Sequence, residues 1–428
     1  MNGGRGSGRV GRGGRGRRPS IALVHYAAQP IIGGVESVMA AHARLMVADG
    51  LEVRIVAGRG SAPPPGCALR VVPLMNPRHP RIDAAQRDLN AGRIPPGFDR
   101  LVDELRGELD QALAGVDVVF AHNVGSLNLN LALTVALRAL TDDAIDHPEA
   151  APRFVLWHHD LAAVMADYRG ALHDGWPWSL LREAWPGTMP VVVSEHRRDE
   201  LAALSGLDPE SIAVVPNGVD LARAWKLEPG AAALFERVAR AGIDLLVLVP
   251  ARITPRKNVE LALAIVAELR AAGCAAAVVV TGPVDPHRPS EDAYLERLLA
   301  LRSELGLDEV AWLLAEESRA DVPDSVVSDL YRIADLLLIS SHDEGFGLPI
   351  LEAAASRLPI ACTDLPTLRE IAGDDALYFA LDDPPAVIAG RIVERRAGDP
   401  AWRLARRVRF GYAWEQVYRQ FIAPLLEA

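Results

Sequence analysis

The chain has 428 residues, half of them hydrophobic and 24% charged, and a formal net charge of −11. That length exceeds one ordinary core and fits two domains of about 200 residues each, while no apolar run approaches the roughly 20 residues a membrane-spanning helix needs. Cys67, Cys274 and Cys362 stand apart without CxxC spacing, which argues against a disulfide framework or a cysteine zinc site and points to the reducing cytoplasm.

Residues 1–19 begin MNGGRGSGRVGRGGRGRR, six arginines among glycines with no acid. This reads as a disordered basic tail, neither a signal peptide nor a membrane anchor. Without those six charges the rest of the chain carries about −17, and so acidic a body is a poor general binder of nucleic acid. Apolar runs then alternate with helical patterns. The first set of predicted strands is IALVHY (21–26), EVRIVA (52–57), DVVFAH (117–122), FVLWHH (154–159) and PVVVSE (190–195). The segment 58–98, rich in proline and arginine, reads as an irregular excursion at the rim of the first domain. The second set is LLVLVP (245–250), AAVVVTG (276–282), EVAWLL (309–314), DLLLIS (335–340) and PIACT (359–363).

Continuous apolar strands separated by amphipathic helices mean parallel sheets covered on both faces. The fold class is α/β, two Rossmann-like doubly wound domains in tandem. The boundary falls near VVPNGVD (214–220), giving domains at 20–215 and 216–410 and a terminal helix over 411–428 with a stripe of Trp414, Val417, Tyr418 and Phe421.

Two strand ends of the second half carry chemistry. After LLLIS comes HDEGFGLPILE (342–352), where Gly345 and Gly347 permit a tight turn and Pro349 suits the first turn of a helix. A helix start presents unpaired N–H groups and a positive dipole, and phosphate is its natural guest. Glu344 and Glu352 then serve as acceptors for hydroxyls beside that phosphate. After LLVLV comes PARITPRKN (250–258), where Arg252 and Lys257 supply two cations for the same anion, with Arg256 assigned to solvent. In the first half, LWHHDLA (156–162) puts His158, His159 and Asp160 at a strand end, and AHNVGSLN (121–128) offers His122, Asn123, Ser126 and Asn128 for acceptor hydroxyls. Neighbouring residues of an extended strand point in opposite directions, so HHD is a poor metal chelator. Ser194, Glu195, Arg198 and Asn217 read first as caps and turn formers.

EGFGLPILE resembles the E-x7-E motif of family 4 retaining glycosyltransferases, and PARITPRKN resembles that family's donor-phosphate arginine and lysine. GGVES (33–37), VVPNGVD and the FGYAWEQV ending also match in order, so the likeness spans nearly all of the chain after residue 20. It implies the GT-B fold, two Rossmann-like domains facing a cleft, with the last helix crossing back to the first domain. It further implies that Glu344 contacts the donor sugar hydroxyls and Glu352 the ribose. Arg252, Lys257 and the backbone of Gly345, Phe346, Gly347 and Leu348 meet the diphosphate, and Gly33 and Gly34 let a loop approach donor or acceptor. His159 lies near the reacting carbon, with His158 as its competitor. The implied reaction is hexose transfer from a UDP- or GDP-sugar to a hydroxyl, with no essential metal or cofactor, and the polar WHHDLA and HNVGSLNLN segments point to a small polar acceptor such as a sugar acid or polyol. The alternatives are a non-catalytic nucleotide-sugar binder and a transferase for lipid or polysaccharide at a membrane surface. A dehydrogenase is disfavoured because no strand precedes a GxGxxG.

Overall fold

The computed structural model describes residues 18–149, 151–284, 289–317 and 322–427, so all but Arg18 and Pro19 of the expected basic tail lies outside the described residues. Two compact units result, one from the chain up to Gly218 together with Trp414–Ala428, the other Val219–Ala413. Among the described residues no helix is long and apolar enough to cross a membrane.

The first unit is a seven-stranded parallel sheet: β1 (Ser20–His25), β2 (Glu52–Ala57), β3 (Ala68–Val71), β4 (Val118–His122), β5 (Arg153–His158), β6 (Thr188–Val192) and β7 (Ala213–Val214). Their spatial order is β3-β2-β1-β4-β5-β6-β7, so the winding reverses between β1 and β4. Side chains alternate across the sheet. Ile21, Leu23, Phe120 and Trp157 enter one core, and Ala22, Val24, Val119 and Leu156 the other. Both faces are therefore covered, which is why the strands read as unbroken apolar runs. Trp414, Val417, Tyr418 and Ile422 complete the first of these cores, and the Tyr418 hydroxyl donates to Asp49 at 2.9 Å.

The second unit is a six-stranded parallel sheet: β8 (Leu245–Val249), β9 (Ala276–Val280), β10 (Ala311–Leu313), β11 (Leu336–Ile339), β12 (Ile360–Thr363) and β13 (Leu377–Phe379). The order β10-β9-β8-β11-β12-β13 reverses between β8 and β11. Almost every strand residue is buried, in a single cluster shared with the flanking helices.

The two Rossmann-like sheets agree with the sequence, but some details differ. The segment 58–98 is not irregular: it holds β3, paired in register with β2, and a helix over Pro80–Asn90. The strand was hidden because it is an edge whose residues are mostly exposed, and the helix because it buries only Ile82, Gln86 and Leu89. The edges β7 and β13 escaped because they are only two and three residues long. The boundary moves from 215 to 218, since Val215 N donates to Val192 O and a Cβ on Gly218 would come within 2.5 Å of the Trp414 ring. The final segment returns to the first unit at 414 rather than 411, because Val219 and Ala413 form a bridge within the second.

Candidate functional site

In open parallel sheets ligands bind beyond the carboxyl ends of the strands where the winding reverses. In the second unit that place lies beyond β8 and β11. The chain leaving β8 makes a short turn over Pro255–Lys257, passes Asn258 in a left-handed conformation and starts the helix Val259–Ala271. The chain leaving β11 is stitched to that turn. The Ser340 hydroxyl donates to Asn258 O at 2.8 Å, His342 N donates to Arg256 O at 2.9 Å, and Arg256 Nη1 donates to Asp343 O at 2.7 Å.

This stitching sets Lys257 Nζ 2.5 Å from Glu344 Oε1, an oxygen that also accepts from the Ser341 hydroxyl at 2.6 Å. Arg256 Nη1 stands 3.8 Å from Glu344 Oε2. Glu344 is only 8% exposed, and a buried carboxylate without such partners is costly. Arg256, assigned to solvent from the sequence, thus belongs to the cluster. Arg252, on the chain leaving β8, is exposed and makes no ion pair among the described residues.

Gly347 takes a φ of +100°, and a Cβ there would also press on Leu368 at 2.7 Å. Gly345 needs no such freedom: its φ is not positive and a Cβ would meet nothing within 4 Å, so the tight turn rests on Gly347 alone. Phe346 and Leu348 are exposed. Glu352, on the helix Leu348–Ala355, accepts from the Tyr331 hydroxyl at 2.5 Å, and burial together with that carboxylate pushes the phenol's pKa up. Gly282 was missed in the sequence. A Cβ on it would lie 2.1 Å from the Ala251 carbonyl oxygen, so its lack of a side chain lets the chain leaving β9 rest on the chain leaving β8.

In the first unit the winding reverses between β1 and β4. His25 Nδ1 donates to the His122 carbonyl at 2.8 Å across this point. Asn123, left-handed at φ +59°, accepts at Oδ1 from His159 N (2.7 Å) and Asp160 N (3.2 Å), and its Nδ2 donates to Asp160 Oδ2 at 3.2 Å. His122 Nδ1 lies 3.0 Å from His159 Nε2. His122 and Asn123 are both almost fully buried. Asn123 spends its amide on bracing His159 and Asp160, and His122 spends Nδ1 on His159 while its Nε2 has no hydrogen-bond partner.

His158 and His159 point to opposite sides of the strand end. His158 borders a cavity of about 40 Å³ beside Gly125, Ser126 and Trp185. His159 and Asp160 border one of about 420 Å³ with Gly34, Val35, Ser37, Asn217 and Trp414. The helix Gly34–Ala48 starts on this second cavity, after Gly33 in an extended conformation. A Cβ on Gly34 would meet nothing within 4 Å, and one on Gly33 only the movable Glu36 side chain. Burial pushes the imidazole of His159 down to about 3, that of His42 to about 3, that of His158 to about 4 and that of His122 well below its ordinary value. These rings are neutral at pH 7 and can each donate and accept a hydrogen bond. His42 was also missed: it packs against His122, Trp157 and Trp414, an arrangement the helical pattern could not announce. Among the described residues no group of three or more His, Cys, Asp or Glu is arranged to hold a metal ion.

The family model for glycosyltransferase family 4 matches residues 32–223, and that for glycosyl transferases group 1 matches 233–392. The chain belongs to the family 4 glycosyltransferases. This glycosyltransferase is 33% identical over 190 residues to the D-inositol 3-phosphate glycosyltransferase of Kineococcus radiotolerans, a match covering 43% of this chain and 41% of that protein. It is 25% identical over 292 residues to the mannosylglucosylglycerate synthase of Petrotoga mobilis, covering 64% and 65%. The matched parts thus span less than two thirds of these relatives. Among solved structures, Anabaena HepE in complex with UDP and glucose aligns over 96% of this chain and 100% of that one, at 14% identity and a TM-score of 0.35.

Proposed function

We propose that the protein is a retaining hexosyltransferase that uses a nucleoside diphosphate sugar as donor and a small polyol or sugar acid as acceptor. The observation that carries this reading is the Lys257–Glu344 pair at the point where the second sheet reverses, directly before the Gly347 turn and its helix. It combines a held cation for a diphosphate with a carboxylate for sugar hydroxyls. Glu352, held by the Tyr331 hydroxyl, takes the ribose.

In the reaction the bond between the anomeric carbon and the diphosphate oxygen breaks, and the electron pair leaves with the diphosphate. Lys257, Arg252 and the backbone N–H groups of Gly345 to Leu348 stabilise that growing charge. The acceptor hydroxyl attacks from the face the diphosphate leaves, and its proton passes to the departing diphosphate oxygen. His159, neutral and braced, positions the hydroxyls at the reacting carbon, with Asp160 beside it. Gly34 leaves room at the start of its helix. The preference for a polyol or sugar acid is supported by the inositol phosphate and glycerate in the names of the two relatives. UDP- and GDP-hexoses both fit, and the cytoplasm is where such donors are made.

The test is a donor screen. The purified chain is incubated with each common nucleotide sugar, and released nucleoside diphosphate is measured beside Glu344→Ala and Lys257→Ala. One donor hydrolysed slowly, with loss in both variants and a rate that rises with a polyol or sugar acid, is the expected result. Binding without release under any acceptor would make it a nucleotide-sugar binding protein. No binding and no hydrolysis of any nucleotide sugar would sink the proposal.

A further inference from the structure

The edge of the second sheet opposite the Lys257–Glu344 pair also holds a cavity. β11, β12 and β13 begin at Leu336, Ile360 and Leu377, and these three residues help wall a space of about 260 Å³. Its charged lining is Arg357, Arg395, Arg396 and Asp399. Three guanidiniums face one carboxylate there, and that carboxylate is already engaged. Asp399 caps the helix Pro400–Gly411, accepting from Ala401 N at 2.8 Å and Trp402 N at 3.3 Å.

Among the described residues none of the three arginines makes an ion pair, although the protein as a whole is acidic. Arg395 donates to the Asp375 carbonyl at 2.7 Å, and Arg396 to the Asp244 carbonyl at 3.3 Å. Arg396 is 6% exposed and its Nε has no hydrogen-bond partner. The Trp402 ring, 4.0 Å from its guanidinium carbon, gives it a π-face, and Asp335 and Asp244 favour its charge from beyond ion-pair distance, but burial outweighs them and works against the cation. The nearby Arg406 and Arg409 show the ordinary solution, paired with Asp244 and Asp335.

A second, independent observation concerns Arg357. It follows the end of the helix Leu348–Ala355 at φ +57°, in the left-handed region that glycine occupies without strain. Asn123 and Asn258 share that region, which asparagine tolerates, and so does Lys226 at the end of a five-residue helix. An arginine gains nothing from the backbone there, and such strain is kept where the side chain has a task.

We propose that this cavity is a binding site for a phosphate-bearing anion, held by Arg357, Arg395 and Arg396. Arginine forks match phosphate oxygens two at a time, and the space admits a phosphate with a small body attached. The same chemistry comes from a soluble phosphate or from a lipid headgroup. The site is independent of the transfer reaction, so Arg357→Gly leaves donor hydrolysis unchanged.

The experiment follows thermal unfolding of the full chain in phosphate and in chloride at matched ionic strength, for the wild type, Arg357→Gly and Arg395→Ala. The matched salt and the variants separate a site from the general stabilising effect of phosphate. The wild type gains Tm with phosphate in a saturable way. Arg357→Gly melts about 2 °C higher without phosphate, because the backbone strain is relieved. Both variants bind phosphate about tenfold more weakly, having lost a charged contact. Sedimentation with phosphatidylcholine vesicles, with and without phosphatidic acid, separates the sources: binding that needs phosphatidic acid and is lost in Arg357→Gly assigns the site to a headgroup, and phosphate binding without it to a soluble anion. Equal phosphate dependence in all three proteins, or no response to phosphate or to vesicles, overturns the site.

Discussion

The two sheets reverse their winding at equivalent places, β1 against β4 and β8 against β11, yet the two strand-end sites are built from opposite electrostatics. Beyond β1, β4 and β5 stand buried histidines kept neutral, of which His25 hydrogen-bonds to backbone and His122 and His159 to one another. Beyond β8 and β11 they are a lysine, two arginines and a glutamate, with one tight ion pair. Topology therefore fixes where a site forms and leaves open what it recognises. A neutral edge with one carboxylate favours hydroxyl groups, whereas a cationic edge favours an anion.

The comparison breaks most directly at Lys257. Lys257→Ala should lower donor turnover by about 10²–10³-fold, the loss expected when a fixed stabiliser of transition-state charge is removed; an unchanged rate would leave the charged edge without a role in transfer. Next in size, Gly282→Ala should destabilise the second unit by about 3 kcal/mol in denaturant unfolding, since its Cβ cannot clear the Ala251 carbonyl without moving backbone.

At the neutral edge, His159→Ala should cost about 10²-fold in kcat/KM, and His122→Leu about tenfold in kcat with KM little changed, because His122 acts only by holding His159. A His122→Leu effect confined to stability would refute that bracing role.

Acidification sharpens the contrast further. His42, His158 and His159 have folded pKa values depressed to between about 3 and about 4. Below their ordinary value of 6.5 the unfolded chain binds protons that the folded chain does not. Stability is then fully present above that value and is lost as pH falls, by at most about 1.4 kcal/mol per pH unit for each ring. Among the described residues the second unit buries no histidine. Denaturant unfolding between neutral pH and about pH 5 should therefore show the first unit weakening ahead of the second, and His42→Leu should flatten that slope. The smallest expected effect is that of Tyr331→Phe, which frees Glu352 and should weaken nucleotide binding by about threefold.

Much of this architecture was legible in the residues alone. Buried strands between helices are unbroken apolar runs, so ten of the strands and the α/β class could be read directly. The glycine-spaced acidic turn and the lysine before Val259 could be read too, because a helix start after a strand constrains residue type locally. Edge strands β3, β7 and β13 could not: β3 buries little, and β7 and β13, with two and three residues, are too short to carry a period. Only the tertiary structure decided which polar side chains remain available. Asn123 looked free at a strand end and is consumed within the fold, whereas Arg256 looked like a solvated charge and stands beside Glu344. Those outcomes depend on pairings between residues 36 and 87 positions apart. Hydrophobic patterning records which face of an element is buried, and it holds no record of which distant hydrogen-bonding group the folded chain brings alongside.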